Sequence, residues 1–167
     1  GEGTSKFTLS VSNSTIGSSA MTLSPEFLSH LETVASAIYE VTQEKGATQR
    51  ETRMLIAIAM RESRFGIPYK QYFPVSSVGA CGIWQVKPIL FDPSSKTTFN
   101  ESCADYKDIH YAATRGLESI RYWMKKKGRI CHYNGGWRCR KEARNYERDV
   151  KRYMQKNPTY IAVNNTF

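Results

Sequence analysis

The sequence predicts a mainly α-helical protein built as one domain. Three observations carry this. A chain of 167 residues suits a single core of ordinary size. A hydrophobic content of 40% with 23% charged residues places it among globular proteins, not disordered ones. Finally, apolar residues recur at three- and four-residue spacing in four separate segments, each bounded by helix start or stop signals. The domain is expected over residues 23–156. A tail or linker at 1–22 and a C-terminal tail at 157–167 flank it.

Residues 1–22 are rich in Ser, Thr and Gly, with weak strand character around Phe7–Val11. The chain starts at Gly1 without a Met and shows no signal peptide, as expected of a processed or trimmed chain or part of a longer one. Ser24 then reads as a helix cap, with Pro25 in the first turn. Phe27, Leu31, Val34, Ile38 and Val41 form the apolar stripe, and Gly46 ends the helix. Thr48 and Glu51 form a capping-box pattern that opens a second helix, expected to run to about Phe65 with Gly66 behind it.

Residues 67–104 hold four prolines and no long helical pattern, so they read as a loop-rich insert able to carry binding function. A third helix is expected from about Asp108 to Lys127, with Ile109, Ala113, Leu117, Ile120 and Met124 inward and Gly128 as its stop. The last spans about Arg140 to Gln155, with Ala143, Tyr146, Val150 and Tyr153 on one face, and Asn157-Pro158 closes it. No internal repeat is present.

The net charge of +9 favours an anionic partner, such as nucleic acid, a membrane surface or a cell-wall polymer. Nucleic acid is disfavoured, because Lys and Arg are scattered and no nucleic-acid motif occurs. No apolar run reaches the roughly 18 residues that cross a bilayer. The four cysteines include no C-x-x-C pair, which argues against a zinc ribbon. They permit two disulfides in three connectivities, of which the pairing of sequence neighbours, Cys81–Cys103 and Cys131–Cys139, is preferred. Such bonds imply an oxidising compartment, the periplasm or the exterior.

The stretch MLIAIAMRESRFG places Glu62 on an apolar helix face, with Leu55, Ile58, Ala59 and Phe65 at helical spacing and no basic partner on that face. A carboxylate there is costly unless used or satisfied. Burial and the helix C-terminus should both raise its pKa, as a general acid requires. Arg61 and Arg64 are expected to point elsewhere. His110 and His132 show no metal-ligand pattern and read as surface or packing residues.

Four segments in order, RESRFG, SSVGACGIWQVKP, YNGG and EARNYERDV, resemble the lytic transglycosylase family with its lysozyme-like fold. The likeness covers roughly residues 48–154 and rests on the patterns E-S-x-F, S-x-x-G-A-x-G-L-M-Q-x-x-P, A-Y-N-A-G and E-T-x-x-Y-V. It implies a single lysozyme-like domain whose loop-rich insert forms a glycan cleft. Glu62 matches the family's catalytic acid/base. Ser76, Gln85, Tyr133 and Asn134 match positions along the sugar cleft, and Tyr146 matches the Tyr packed near the acid. Glu142 matches a carboxylate with a structural role. Trp84 stands in place of Met, Ile83 of Leu, Gly135 of Ala, and Glu147 of an apolar residue. The spacing from Glu62 to Gly79 is longer than the family's common one.

The chemistry implied is cleavage of the MurNAc–GlcNAc bond of peptidoglycan without a cofactor or metal. Glycosidases that hydrolyse usually need two carboxylates. Here Asp92, Glu101, Asp105 and Asp108 lack a comparable setting. One Glu suffices if the muramic acid C6 hydroxyl attacks C1 and yields a 1,6-anhydro sugar. Gln85 and Asn134 have amides suited to N-acetyl and hydroxyl groups. Trp84, Tyr133 and Trp137 offer faces for sugar rings, or alternatively core packing. The competing readings are a hydrolytic muramidase with a second acid such as Asp92, and a non-catalytic wall-binding module. The setting is expected to be the cell envelope, a secretion or conjugation machine, or a phage particle.

Overall fold

The computed structural model describes residues 8–10, 24–88, 103–156 and 160–162, and they form a mainly helical protein. Helix α1 (Pro25–Glu44) begins as its sequence requires: the Ser24 side chain accepts the Phe27 N–H at 3.2 Å. Leu31, Val34, Ile38 and Val41 are fully buried, and Phe27 packs partly against the core. Helix α2 (Gln49–Ser63) carries the reciprocal capping box. Glu51 N–H donates to Thr48 at 3.0 Å, and Thr48 N–H donates to Glu51 at 2.9 Å. Residues Met54 to Met60 are buried throughout, so α2 is covered on nearly all sides.

Helix α2 ends two residues before Phe65. Arg64 and Phe65 take left-handed φ values of 48° and 58°, and a 3-10 turn spans Arg64–Gly66. Ser63 fixes this early stop, because its hydroxyl accepts the Gly66 N–H at 3.0 Å. Gly66, at φ 81°, is required twice over: a Cβ there would lie 2.6 Å from the Tyr72 carbonyl oxygen.

The insert is described as far as Pro88. It contains a 3-10 turn at Lys70–Tyr72 and a tight turn in which Cys81 and Val86 exchange backbone hydrogen bonds of 2.8 and 3.0 Å. Asp92 and Glu101 lie outside the described residues. A 3-10 turn, Ala104–Lys107, leads into α3 (Ile109–Lys126), whose N-terminus is capped by Asp108. Ala113, Leu117 and Ile120 are buried as their spacing predicts, joined by Trp123, while Ile109 and Met124 are partly buried. Gly116 lets the Trp84 ring lie against α3, since a Cβ would stand 3.0 Å from it.

The short helix α4 (Cys131–Gly135) was not legible as a helix, being five residues with too little length for a period. Helix α5 (Lys141–Gln155) buries Ala143, Tyr146 and Val150, with Tyr153 partly buried. α2 is the hub: it packs on α1, α3 and α5, while α1 runs along α3 and α4 sits on α5. Full burial of Leu55 and Ile58 is worth about 1.5–3 kcal/mol each in area removed from water.

Strand β1 (Thr8–Ser10), inside the stretch with strand character, pairs in parallel with β2 (Tyr160–Ala162). Thr8 stands opposite Tyr160 and Ser10 opposite Ala162. The second strand falls within the stretch expected as a C-terminal tail; three residues are too few for an alternating pattern to be read. The rest of both tails lies outside the described residues.

Both neighbour pairings of the cysteines are present. Cys81–Cys103 and Cys131–Cys139 have Cα separations of 5.2 and 5.7 Å, within the range a disulfide bridges comfortably. Among the described residues no helix is long and apolar enough to cross a membrane.

Candidate active site

Glu62 sits in the last turn of α2, one residue before the chain reverses. Ser63 locks that reversal. It accepts the Gly66 N–H and donates its own proton to the Ile83 carbonyl at 2.8 Å, tying the helix end to the turn that carries Trp84 and Gln85. His30 of α1 braces the other side, with Nε2–H donating to the Phe65 carbonyl at 2.6 Å. The Glu62 backbone is therefore fixed by groups from α1, α2 and the insert.

The Glu62 side chain retains partial exposure, but protein surrounds most of it. Burial pushes its pKa from 4.5 up to about 7. Opposing this are, in order, the Tyr146 hydroxyl and the positive charges of Arg61 and Lys87. Arg61 pairs with Asp149, yet its charge still bears on Glu62. Its pull is weakened because Nε donates to Asp149 at 3.0 Å and the guanidinium lies over the Tyr146 ring, 5.2 Å from its centroid. Burial still prevails.

Tyr146 is 1% exposed, so it packs near the acid and does not present a face to a ligand. Its hydroxyl makes no hydrogen bond of good geometry among the described residues. It nevertheless stands beside the Glu62 carboxyl and is the strongest influence drawing that pKa down. Tyr133 lies parallel to it, with ring centroids 6.4 Å apart. Tyr133 is also buried, and its hydroxyl donates to the Trp84 carbonyl at 2.5 Å, the core-packing arrangement of the two alternatives. Burial first, and then the charge of Glu62, push both phenols far above 10, so they stay neutral donors.

Trp84 is likewise a core residue. It is fully buried, with Nε1–H donating to the Leu55 carbonyl at 2.8 Å. Its turn is therefore anchored to the middle of α2. Ser76 and Gln85 serve their own loop: the Ser76 hydroxyl accepts from Val78 and Ala80 N–H, and the Gln85 amide donates to the Pro74 and Gly82 carbonyls. Both keep partial exposure. Asn134 is partly exposed and borders a hollow of about 400 Å³ shared with Trp137, Arg138, Arg140 and Glu142. Trp137 is the aromatic of the three that remains open to solvent, at 53% exposure, propped edge-on against Trp123 at 5.2 Å.

Two residues outside the expected set shape the site. Lys87 donates Nζ–H to the Asn134 carbonyl at 3.0 Å while its charge reaches Glu62, so it bridges the acid and the hollow. Its place in the QVKP segment was the available signal. Glu147, where an apolar residue was expected, is buried and accepts from Arg129 at 2.9 Å and from Cys131 N–H at 3.0 Å. It pins the start of α4. Burial pushes its pKa up, but Arg129, the Cys131 N–H and Lys151 together bring it below the ordinary value. Glu51 is lowered by Arg121. Glu62 thus moves in the opposite direction from Glu51 and Glu147. Asp108 is occupied as the α3 cap, and Asp105 is exposed.

Cys131, His132 and Cys139 bring their ligand atoms within 4.8 Å of one another. The two sulfurs are bonded to each other and His132 Nδ1–H donates to the Gly136 carbonyl at 2.6 Å, so the group is structural in this redox state. His110 pairs with Glu44 at 3.1 Å on the surface.

Comparison with models of known protein families, with curated proteins and with solved structures found no match to this chain.

Proposed function

We propose that the chain is a lytic transglycosylase with a lysozyme-like domain, cleaving the MurNAc–GlcNAc bond of peptidoglycan with Glu62 as sole acid and base. The observation that carries this reading is a carboxyl raised to about 7 at the end of α2, inside the E-S-x-F segment and beside a buried tyrosine. At neutral pH such a group is divided between acid and carboxylate, so it can give a proton and then take one.

Protonated Glu62 donates to the glycosidic oxygen, and the C1–O4 bond breaks to leave the GlcNAc hydroxyl. The resulting carboxylate then removes the proton of the muramic C6 hydroxyl, whose oxygen bonds to C1. The product is a 1,6-anhydro sugar, no water is consumed, and Glu62 ends protonated as it began. The Tyr146 hydroxyl and Lys87 steady the carboxylate between the two transfers. The hollow beside Asn134 and Trp137 supplies an exposed aromatic face and amide for an adjacent sugar. The two disulfides accord with work in the periplasm or outside the cell, or on a phage particle.

Mass spectrometry of digested peptidoglycan tests this. Products lighter by one water and without a reducing end are expected, and Glu62→Gln should give none. Reducing-end products would instead mark a hydrolytic muramidase. Glycan binding with no cleavage would mark a wall-binding module.

A further inference from the structure

A second hollow, of about 240 Å³, lies among His30, Gln71, Tyr72, Phe73, Lys107 and residues behind them. None of these is among the groups that act on Glu62. Gln71, Tyr72 and Phe73, which line the hollow, lie in the stretch between Glu62 and Gly79. Gln71 and Tyr72 are consecutive non-glycine residues at φ 57° and 55°, an arrangement that persists only where its surroundings hold it. Here the Tyr72 ring stacks on the His30 ring with centroids 4.0 Å apart and 16° between planes.

His30 supplies the specific chemistry. It is 7% exposed. A carbonyl can only accept, so the nitrogen facing Phe65 is Nε2–H, and in the neutral ring Nδ1 is then a lone-pair acceptor. Burial favours that neutral ring, against the opposing pull of the Phe65 carbonyl. Nδ1 makes no hydrogen bond among the described residues. Lys107, exposed at the rim, holds its ammonium 5.6 Å from the Phe73 ring centroid. Phe73, Ile83 and Ile109 add apolar wall.

We propose that this hollow is a separate binding site for the acyl-amino-acid end of a short peptide. Its carboxylate would pair with Lys107, its amide N–H with His30 Nδ1, and its small side chain would rest on Phe73 and Ile83. An ammonium, a neutral imidazole acceptor and an apolar wall within one small hollow match that combination and match a neutral sugar less well. The site is independent of wall cleavage.

Titration of the ¹⁵N-labelled full chain with N-acetyl-L-alanyl-D-alanine tests it. Saturable shifts are expected at Gln71–Phe73 and Lys107, and not around Glu62. The C-terminal amide of the same peptide should bind roughly tenfold more weakly, and Lys107→Met should lose about the same factor for the free acid. That variant should retain wild-type wall cleavage. Absence of saturable shifts up to about 10 mM, or equal binding of acid and amide, overturns the proposal. So does a Lys107→Met affinity equal to wild type. Loss of wall cleavage in Glu62→Gln with peptide binding intact separates the two sites.

Discussion

The Ser63 hydroxyl donates to the carbonyl of Ile83, twenty residues further along the chain, at 2.8 Å. The same oxygen accepts the Gly66 N–H. One side chain thus joins the end of the acid-bearing helix to the turn that bears Trp84 and Gln85. Ser63→Ala leaves two buried backbone groups without their partner and should cost about 1–3 kcal/mol. Urea unfolding measures it. A midpoint unchanged from wild type would mean that the helix end is held by other contacts.

Glu62→Gln should abolish cleavage of cell-wall suspensions, because the amide has similar size but cannot transfer a proton. Its stability carries a sign. The folded pKa of about 7 lies above the unfolded value near 4.5, so the folded state holds the proton more tightly. That stability is fully present below pH 4.5 and is lost as pH rises through 7, at most about 3 kcal/mol in all. Above pH 7, Glu62→Gln should therefore melt at or above the wild-type temperature. A variant several degrees less stable there would require a partner for the ionised carboxylate beyond Tyr146, Arg61 and Lys87.

Tyr146→Phe addresses the group that lowers the acid's pKa most. Removing the hydroxyl should move the basic limb of the pH–activity profile upward, by about half a unit to one unit. Stability should change by less than about 1 kcal/mol, since the hydroxyl makes no hydrogen bond of good geometry. A downward movement of the limb would contradict the assigned sign. Lys87→Met should move it upward too, by removing an opposing charge.

The Cys131–Cys139 bond closes a loop with a sequence separation of 8 around Tyr133, Asn134 and Trp137. In the chain-entropy account a loop this short stabilises by about 2–3 kcal/mol. Replacing both cysteines by serine should lower the thermal midpoint accordingly and weaken glycan binding more than the turnover of bound substrate. Steady-state kinetics on a defined glycan separates the two.

The long helices were legible because each had a repeating apolar face, and α1 and α2 also a cap; Thr48 with Glu51 is the clearest case, since both hydrogen bonds form. The end of α2 was missed by two residues because Arg64 and Phe65 adopt a conformation that residue type does not announce. Within the site, Glu62 was legible as a carboxylate on an apolar face. The roles of Ser76 and Gln85 were not, because nothing in a polar side chain says whether its own loop will capture it. For Tyr133 and Trp84 the sequence left sugar platform and core packing both open, because aromatic residues fit a core as readily as a cleft. Glu147 meets Arg129 from 18 residues away, a distance over which periodicity carries no information.

The Cys81–Cys103 bond, with a sequence separation of 22, has a consequence for a broken chain. A protease cut anywhere between those cysteines would yield one fragment bearing Glu62 and another bearing Tyr146. Neither could drift away, because the sulfur bridge would keep the two pieces as a single molecule. On a denaturing gel the nicked protein would run as one band until a reductant separated it into two.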